Sequence, residues 1–266
     1  MEPETPSAPP VVAVVVVHDP GAWFDDTLDA LARQDYPNLR LLFLVVAEEA
    51  AAGDPATDAA PSIDARIQQR IPGAFVRAIG ANVGFGTAAN EVLRLVEGDN
   101  GFFLICHDDV APDPGALRLM VEELYRSNAG AVGPKLVDWD DPSVLQAVGL
   151  GMDRFGEIDP VIEPGEVDQE QHDGVRDVFV LPSAYLLVRA DLFRELGGFD
   201  PAIDFYGEDT ELCWRIHHSG ARVVVVPSAR VRHLGQLRQR RPDLRHGLIR
   251  ARHRMRSVAT LTGASR

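Results

Sequence analysis

The chain predicts an α/β protein built on a doubly wound, mixed sheet with helices on both faces. Continuous β-branched runs such as Val11–Val17 have the pattern of strands buried on both sides. Segments with apolar residues at helical spacing separate these runs. The alternation continues to about residue 137, where the composition changes.

The elements follow in order. Residues 1–10 are rich in Pro, Ala and Glu and read as a disordered tail. After Val11–Val17, His18-Asp19-Pro20-Gly21 turns the chain, and Trp23, Leu28, Leu31 and Ala32 set a helical period that stops near Tyr36-Pro37. Leu39–Val46 is the second strand. Residues 47–66 lack a period and read as loop, with a short helix before Ile71-Pro72. Phe75–Ile79 is a short strand, and Gly84-Phe85-Gly86 opens one helix from Thr87 to Val96. Phe102–Cys106 is a further buried strand ending at His107-Asp108-Asp109. A helix over 113–127 and a strand over Gly130–Val137 complete the first half.

The second half differs. Residues 138–177 mix acids, Gly and Pro with short alternating pieces, which suits an antiparallel insertion. Val178–Val188 is strand-like but interrupted by Pro182-Ser183, and a helix follows from Asp191 to Leu196. A Gly/aromatic loop then delivers three carboxylates, Glu208, Asp209 and Glu211, to the start of a helix over 208–218. A helix N-terminus favours negative charge, so capping explains one or two of these acids. It does not explain the loop, whose composition suits placing a carboxylate beside a ligand. Arg222–Val226 is the last strand. Leu244, Leu248, Ala251, Met255 and Val258 recur at helical spacing, predicting a C-terminal amphipathic helix capped by Asp243.

Bulk properties narrow the function. The 266 residues, 45% hydrophobic and 25% charged, describe a globular protein with a full core. Cys106 and Cys213 sit in apolar patterns without metal spacing and read as buried thiols of a reducing cytoplasm. The run Val11–Val17 is too short to span a bilayer. Residues 237–256 hold eight arginines against Asp243, so with the chain at −14 overall they carry +7 and the remainder −21. An acidic body argues against nucleic acid as a partner. The basic tail suits anionic lipid head groups, with Arg238, Arg240, Arg241, Arg245, Arg250, Arg252, Arg254 and Arg256 facing them, or packing against the body's own acids.

Four blocks in order resemble the family 2 glycosyltransferases of the GT-A fold. Val12–His18 with Leu28–Pro37 resembles the family's first strand and following helix. Asn82-Val83-Gly84-Phe85-Gly86-Thr87-Ala88-Ala89-Asn90 resembles its Asn-x-Gly block, and Leu104–Val110 with Pro112 its Asp-x-Asp metal region. The stretch from Gly197-Gly198-Phe199-Asp200 through Glu208-Asp209, Arg215 and Pro227 to His233 resembles its late signature. The resemblance covers roughly residues 11–235 and implies a Rossmann-like nucleotide-sugar half over 11–137 and an acceptor half over 138–235. The basic C-terminal helix, 236–266, follows.

What the resemblance implies is a bacterial enzyme of polysaccharide or glycolipid synthesis, cytoplasmic or at the inner face of the cell membrane. It moves a sugar from a UDP- or dTDP-type donor to a glycan or glycolipid hydroxyl, with inversion and with Mn²⁺ or Mg²⁺. Asp109 and His233 would hold the metal. Asp209 would be the general base, with Glu208 orienting the acceptor. His18, Asp19, Asn82, Gly84, Asn90, His107 and Asp108 would contact the donor. Where the family carries an aspartate pair after its second strand, this chain has Ala47-Glu48-Glu49, so Glu48 would substitute with a longer arm. That departure, with His107 at an acid's position, supports the alternative of a non-catalytic sugar-nucleotide-binding module of the same fold.

Overall fold

The computed structural model describes residues 8–46, 62–80, 84–240 and 245–262. Its first half contains β1 (Val11–Val17), α1 (Phe24–Ala32), β2 (Leu39–Val46), α2 (Ile63–Arg70), β3 (Phe75–Ile79), α3 (Phe85–Ala89), α4 (Val92–Leu95), β4 (Phe102–His107), β5 (Val110–Pro112), α5 (Ala116–Ser127) and β6 (Ala131–Asp138). The second half contains β7 (Leu145–Ala147), β8 (Leu150–Met152), β9 (Ile158–Pro160), β10 (Arg176–Asp177), β11 (Tyr185–Arg189), α6 (Ala190–Glu195), α7 (Glu208–His218), β12 (Val223–His233), α8 (Leu237–Arg240) and α9 (His246–Leu261).

The main sheet runs β10-β12-β6-β11-β4-β1-β2-β3. Strands β3, β2, β1 and β4 are parallel neighbours. Antiparallel β11 sits between β4 and β6, and β12 lies parallel to β6. This is the mixed, doubly wound sheet that the sequence predicts. Alternation along β1 shows why: Val11, Ala13, Val15 and Val17 pack with Phe24, Leu28 and Leu117 on one face. Val14 and Val16 pack with Val92, Phe193 and Leu212 on the other.

Three departures from the sequence reading matter. The helix expected from Thr87 to Val96 is two short helices that meet around Asn90, whose side-chain amide bonds the Phe199 backbone while its own N–H still donates to the Gly86 carbonyl. The strand interrupted at Pro182-Ser183 forms only from Tyr185, with an isolated bridge at Val180. The last strand does not stop at Val226. A bulge between Val226 and Arg230 absorbs Pro227, which has no N–H to give the ladder, and β12 continues to His233. Within the 138–177 insertion, β8 and β9 form a separate antiparallel pair. Buried Lys135 ties that insertion to β6 by donating to Asp168 at 2.9 Å.

Candidate active site

The topology brings several segment ends to one edge of the sheet. Strands β1, β4, β6 and β12 point the same way, so His18, His107-Asp108-Asp109 and His233 all gather at the carboxyl edge. Antiparallel β11 begins at that edge, which brings Ser183 there too. This is where ligands bind in open α/β sheets.

Asp108 and Asp109 are 2% and 1% exposed. Carboxylates so buried need compensating partners. Asp108 accepts the His18 backbone N–H at 2.9 Å and Arg240 Nη2 at 2.8 Å. Asp109 Oδ2 accepts Arg240 Nη2 and the Gln236 N–H, each at 3.0 Å. Asp109 Oδ1 is different. It lies 3.6 Å from both His107 Nδ1 and His233 Nε2, outside hydrogen-bonding distance. Asp109 Oδ1 and His233 Nε2 are buried polar atoms without a hydrogen-bond partner.

That orphaned arrangement fits a cation. One ligand atom from each of His107, Asp109 and His233 lies within 4.8 Å of the other two. Gln146 prepares one of them. Its amide nitrogen donates to the His233 carbonyl at 2.7 Å, which turns its oxygen to His233 Nδ1 at 3.1 Å. An amide oxygen only accepts, so in the neutral ring Nδ1 carries the proton and Nε2 presents its lone pair toward Asp109. Burial alone would raise the Asp109 carboxyl, but the His107 and His233 imidazoles outweigh it and hold it well below the usual range. For Asp108 burial wins over Arg240, and its carboxyl lies above that range.

The acid pair of α7 has the opposite environment. Left-handed Gly207, with φ 98°, starts the helix, and Glu208 is buried. Burial, then the adjacent Asp209, pushes Glu208 up to about 8. Burial also raises Asp209, against the Thr210 N–H that it accepts at 2.7 Å. Ser183 joins the two regions: its hydroxyl donates to Glu208 Oε1 at 3.2 Å and lies 3.4 Å from His107 Nε2. Asp108, Asp109, His107 and His233 line one cavity of about 730 Å³ with Glu208 and Asp209. That volume suits a small-molecule ligand.

Comparison with known proteins decides the family. The profile described as Glycosyltransferase like family 2 matches residues 9–259. The chain belongs to glycosyltransferase family 2. It is 29% identical over 246 residues to the N-acetylglucosaminyl-diphospho-decaprenol L-rhamnosyltransferase of Mycobacterium tuberculosis, covering 84% of this chain and 75% of that one. It is 28% identical over 152 residues to the pre-mycofactocin glycosyltransferase of the same organism, covering 56% of this chain and 30% of that one. Among solved structures, the mannosyltransferase PcManGT from Pyrobaculum calidifontis, in complex with GDP-Man and Mn²⁺, aligns with a TM-score of 0.61. The identity is 19%, over 94% of this chain and 63% of that one. GalNAc-T7 with UDP, GalNAc and Mn²⁺ aligns at 0.65 and 12%, over 85% of this chain and 43% of that one. At these identities the structures establish the GT-A fold, and the family makes the chain a glycosyltransferase.

The remaining expectations for this family 2 member fall out unevenly. His18 lines the cavity, while Asp19 is exposed with φ 47°. Asn90 is not among the residues that line the cavity, and its amide exchanges two 2.8 Å hydrogen bonds with the Phe199 backbone, stapling α3 to the Gly197–Asp200 loop. A side chain on Gly84 would meet the Asp204 carbonyl oxygen at 2.5 Å, so close chain packing alone requires glycine there. Glu48 and Asn82 lie outside the described residues. His107, placed with the donor contacts by the sequence, stands among the candidate metal ligands.

Of the two readings of the basic tail, Arg240, Arg254 and Arg256 follow the second and pack against the body's acids. Arg240 turns inward onto Asp108 and Asp109 instead of facing head groups. Arg250 stacks on Tyr206, Arg254 pairs with Glu157, and Arg256 with Asp200. The Arg238 side chain, Arg241 and Asp243 lie outside the described residues. Sequence reasoning missed Ser183, Gln146 and Arg240 as site residues. The charge imbalance between tail and body was the one signal for Arg240.

Proposed function

We propose that this glycosyltransferase moves a sugar, with inversion, from a UDP- or dTDP-type donor to a hydroxyl of a glycan or lipid-linked acceptor. One observation carries the reading: a His-Asp-His cluster with orphaned buried ligand atoms shares a cavity with an acid pair that holds protons unusually tightly. Asp209 accepts the proton of the acceptor hydroxyl as its oxygen bonds to the anomeric carbon. The bond from that carbon to the diphosphate oxygen breaks, and the diphosphate leaves with the electron pair. Glu208, whose Oε2 is a buried atom without a partner, orients the acceptor.

His107, Asp109 and His233 would hold a divalent cation, which when bound would supply charge neutralisation for the leaving diphosphate. Two imidazoles favour Mn²⁺ over Mg²⁺, which prefers oxygen ligands. The manganese in PcManGT and the lipid-linked substrate in the rhamnosyltransferase's name support the same reading.

Such an acceptor places the enzyme at the cytoplasmic face of the membrane. No helix among the described residues is long and apolar enough to cross one. Helix α9 carries no acid, and on it Leu248 and Met255 are 62% and 68% exposed, flanked by exposed Arg245 and Arg252. That stripe contacts anionic lipid. The wild type should co-sediment with phosphatidylglycerol vesicles in low salt, and Leu248→Glu/Met255→Glu should lose most of that binding.

Calorimetry with a panel of nucleoside diphosphates, with and without Mn²⁺, tests the central reading. Mn²⁺-dependent binding of UDP or dTDP, with release of diphosphate from the matching sugar donor, is expected. Binding without turnover on any acceptor would indicate the non-catalytic module instead, and no binding at all would remove both.

A further inference from the structure

The acid pair reaches the cavity through a short loop, residues 205–207, with an unfavourable backbone. Tyr206 has φ 61° and Gly207 φ 98°, two left-handed residues in succession. Glycine adopts this freely, but an aromatic residue pays on the order of 1–2 kcal/mol, and such geometry persists only where its surroundings over-determine it. Those surroundings come from α9, more than forty residues downstream.

His253 of α9 is 2% exposed, and its Nδ1 lies 2.8 Å from the Phe205 carbonyl oxygen and 3.0 Å from that of Tyr206. Carbonyl oxygens only accept, so Nδ1 carries the proton and is shared between them. The Tyr206 hydroxyl bonds His246 Nδ1 at 2.8 Å, and the Arg250 guanidinium sits 4.5 Å from the Tyr206 ring centre. Arg256 grips Asp200 at 2.8 Å, further back along the same segment. One helix therefore fixes the carbonyls, the hydroxyl and the ring of the loop that starts α7. A polar ring buried this deeply is costly unless its donor is used, and here both of its acceptors belong to that loop.

We propose that His253 is the positioning residue of the Glu208–Asp209 pair, its Nδ1–H locking the left-handed entry that aims Asp209 into the cavity, while His246 and Arg250 clamp Tyr206. The assignment of Asp209 as base rests on the glycosyltransfer reading; the bracing of residues 205–209 does not. Order in α9 thus controls turnover and leaves nucleotide binding at the other end of the cavity untouched.

The test compares His253→Ala with His253→Asn in the full chain, since the Asn amide offers an N–H close to the position of Nδ1. His253→Ala should lower kcat for transfer roughly 10- to 100-fold, the scale of a misplaced reacting group. Affinities for Mn²⁺ and nucleoside diphosphate, read by calorimetry, should stay unchanged. Amide exchange over 205–209 should accelerate in His253→Ala, and His253→Asn should restore both exchange and most of kcat. Tyr206→Phe removes only the hydroxyl bond, keeps the fold testable if His253→Ala fails to fold, and should show a smaller change of the same kind. Unchanged exchange at 205–209 in both His253→Ala and Tyr206→Phe would overturn the proposal, as would an Asn variant as slow as the Ala variant. If the wild type transfers no sugar, the glycosyltransfer reading fails, while the exchange comparison still decides the brace.

Discussion

Two pairs of adjacent acids face one cavity, and the fold treats Asp109 and the Glu208-Asp209 pair in opposite ways. Asp109 lies against Arg240, two imidazoles and the Gln236 N–H, so negative charge there is compensated despite burial, whereas at neighbouring Asp108 burial still wins. Glu208 is buried and Asp209 half-buried, with a serine and a threonine as their bonded neighbours, so charge there is penalised and protons are retained. On the proposed reading the same residue types serve as a cation holder at one end and a proton acceptor at the other, through surroundings alone. Four variants separate the two ends.

Asp209→Asn should be the most damaging to turnover. Removing a general base costs about 10² to 10⁴-fold, and kcat should fall in that range while calorimetry shows nucleotide and Mn²⁺ binding as in the wild type. A variant that lost both would erase the division between the ends. Asp109→Ala attacks the other end. Mn²⁺ binding should vanish, and activity should drop by more than the roughly 100-fold that losing a supporting partner of a metal ligand costs. The calorimeter distinguishes the two variants even where their rates overlap.

Arg240→Ala sharpens the charge argument without removing a metal ligand. It strips the guanidinium from two buried carboxylates, and breaking a buried pair by removing one partner costs about 3–5 kcal/mol. Urea denaturation in chelator should show that loss. Added Mn²⁺ should recover more stability in the variant than in the wild type, because a second cation then serves the same acids. A variant as stable as the wild type in chelator would mean that Arg240 is not the compensating charge.

The sheet was legible from Val11–Val17, Leu39–Val46 and Phe102–Cys106, since strands buried on both faces have no polar alternation to confuse the pattern. Asp109, His233, Glu208 and Asp209 were found through the family resemblance, and the structure brings all four to one cavity. What stayed hidden depends on tertiary contact. Asn90 looked like a ligand residue because an exposed amide and a stapling amide have the same sequence. Gln146 sits 87 residues from the histidine that it orients, and His253 47 from the carbonyl of Tyr206. No spacing rule reaches across such separations. Pro227 misled in the same way: it ended the strand on paper, whereas in the fold a bulge carries the strand past it to His233.

The smallest expected effect is also the most specific to the α7 end. Glu208 is raised from 4.5 to about 8, so the folded protein keeps a proton that the unfolded chain has already released over that window. Below pH 4.5 both states hold the proton and the contribution is fully present. As pH rises toward 8 the unfolded state is favoured by up to about 1.4 kcal/mol per pH unit, and above 8 the loss is complete. Metal-free protein should therefore lose stability between pH 5 and pH 8 beyond what its other groups cause, and Glu208→Gln should flatten that part of the curve. Asp109 predicts the reverse trend, because its carboxyl, held low, contributes stability that disappears only on acidification. Urea midpoints across pH 3 to 9 for wild type and Glu208→Gln would expose both slopes. Parallel curves for the two proteins would show that Glu208 does not carry the alkaline one.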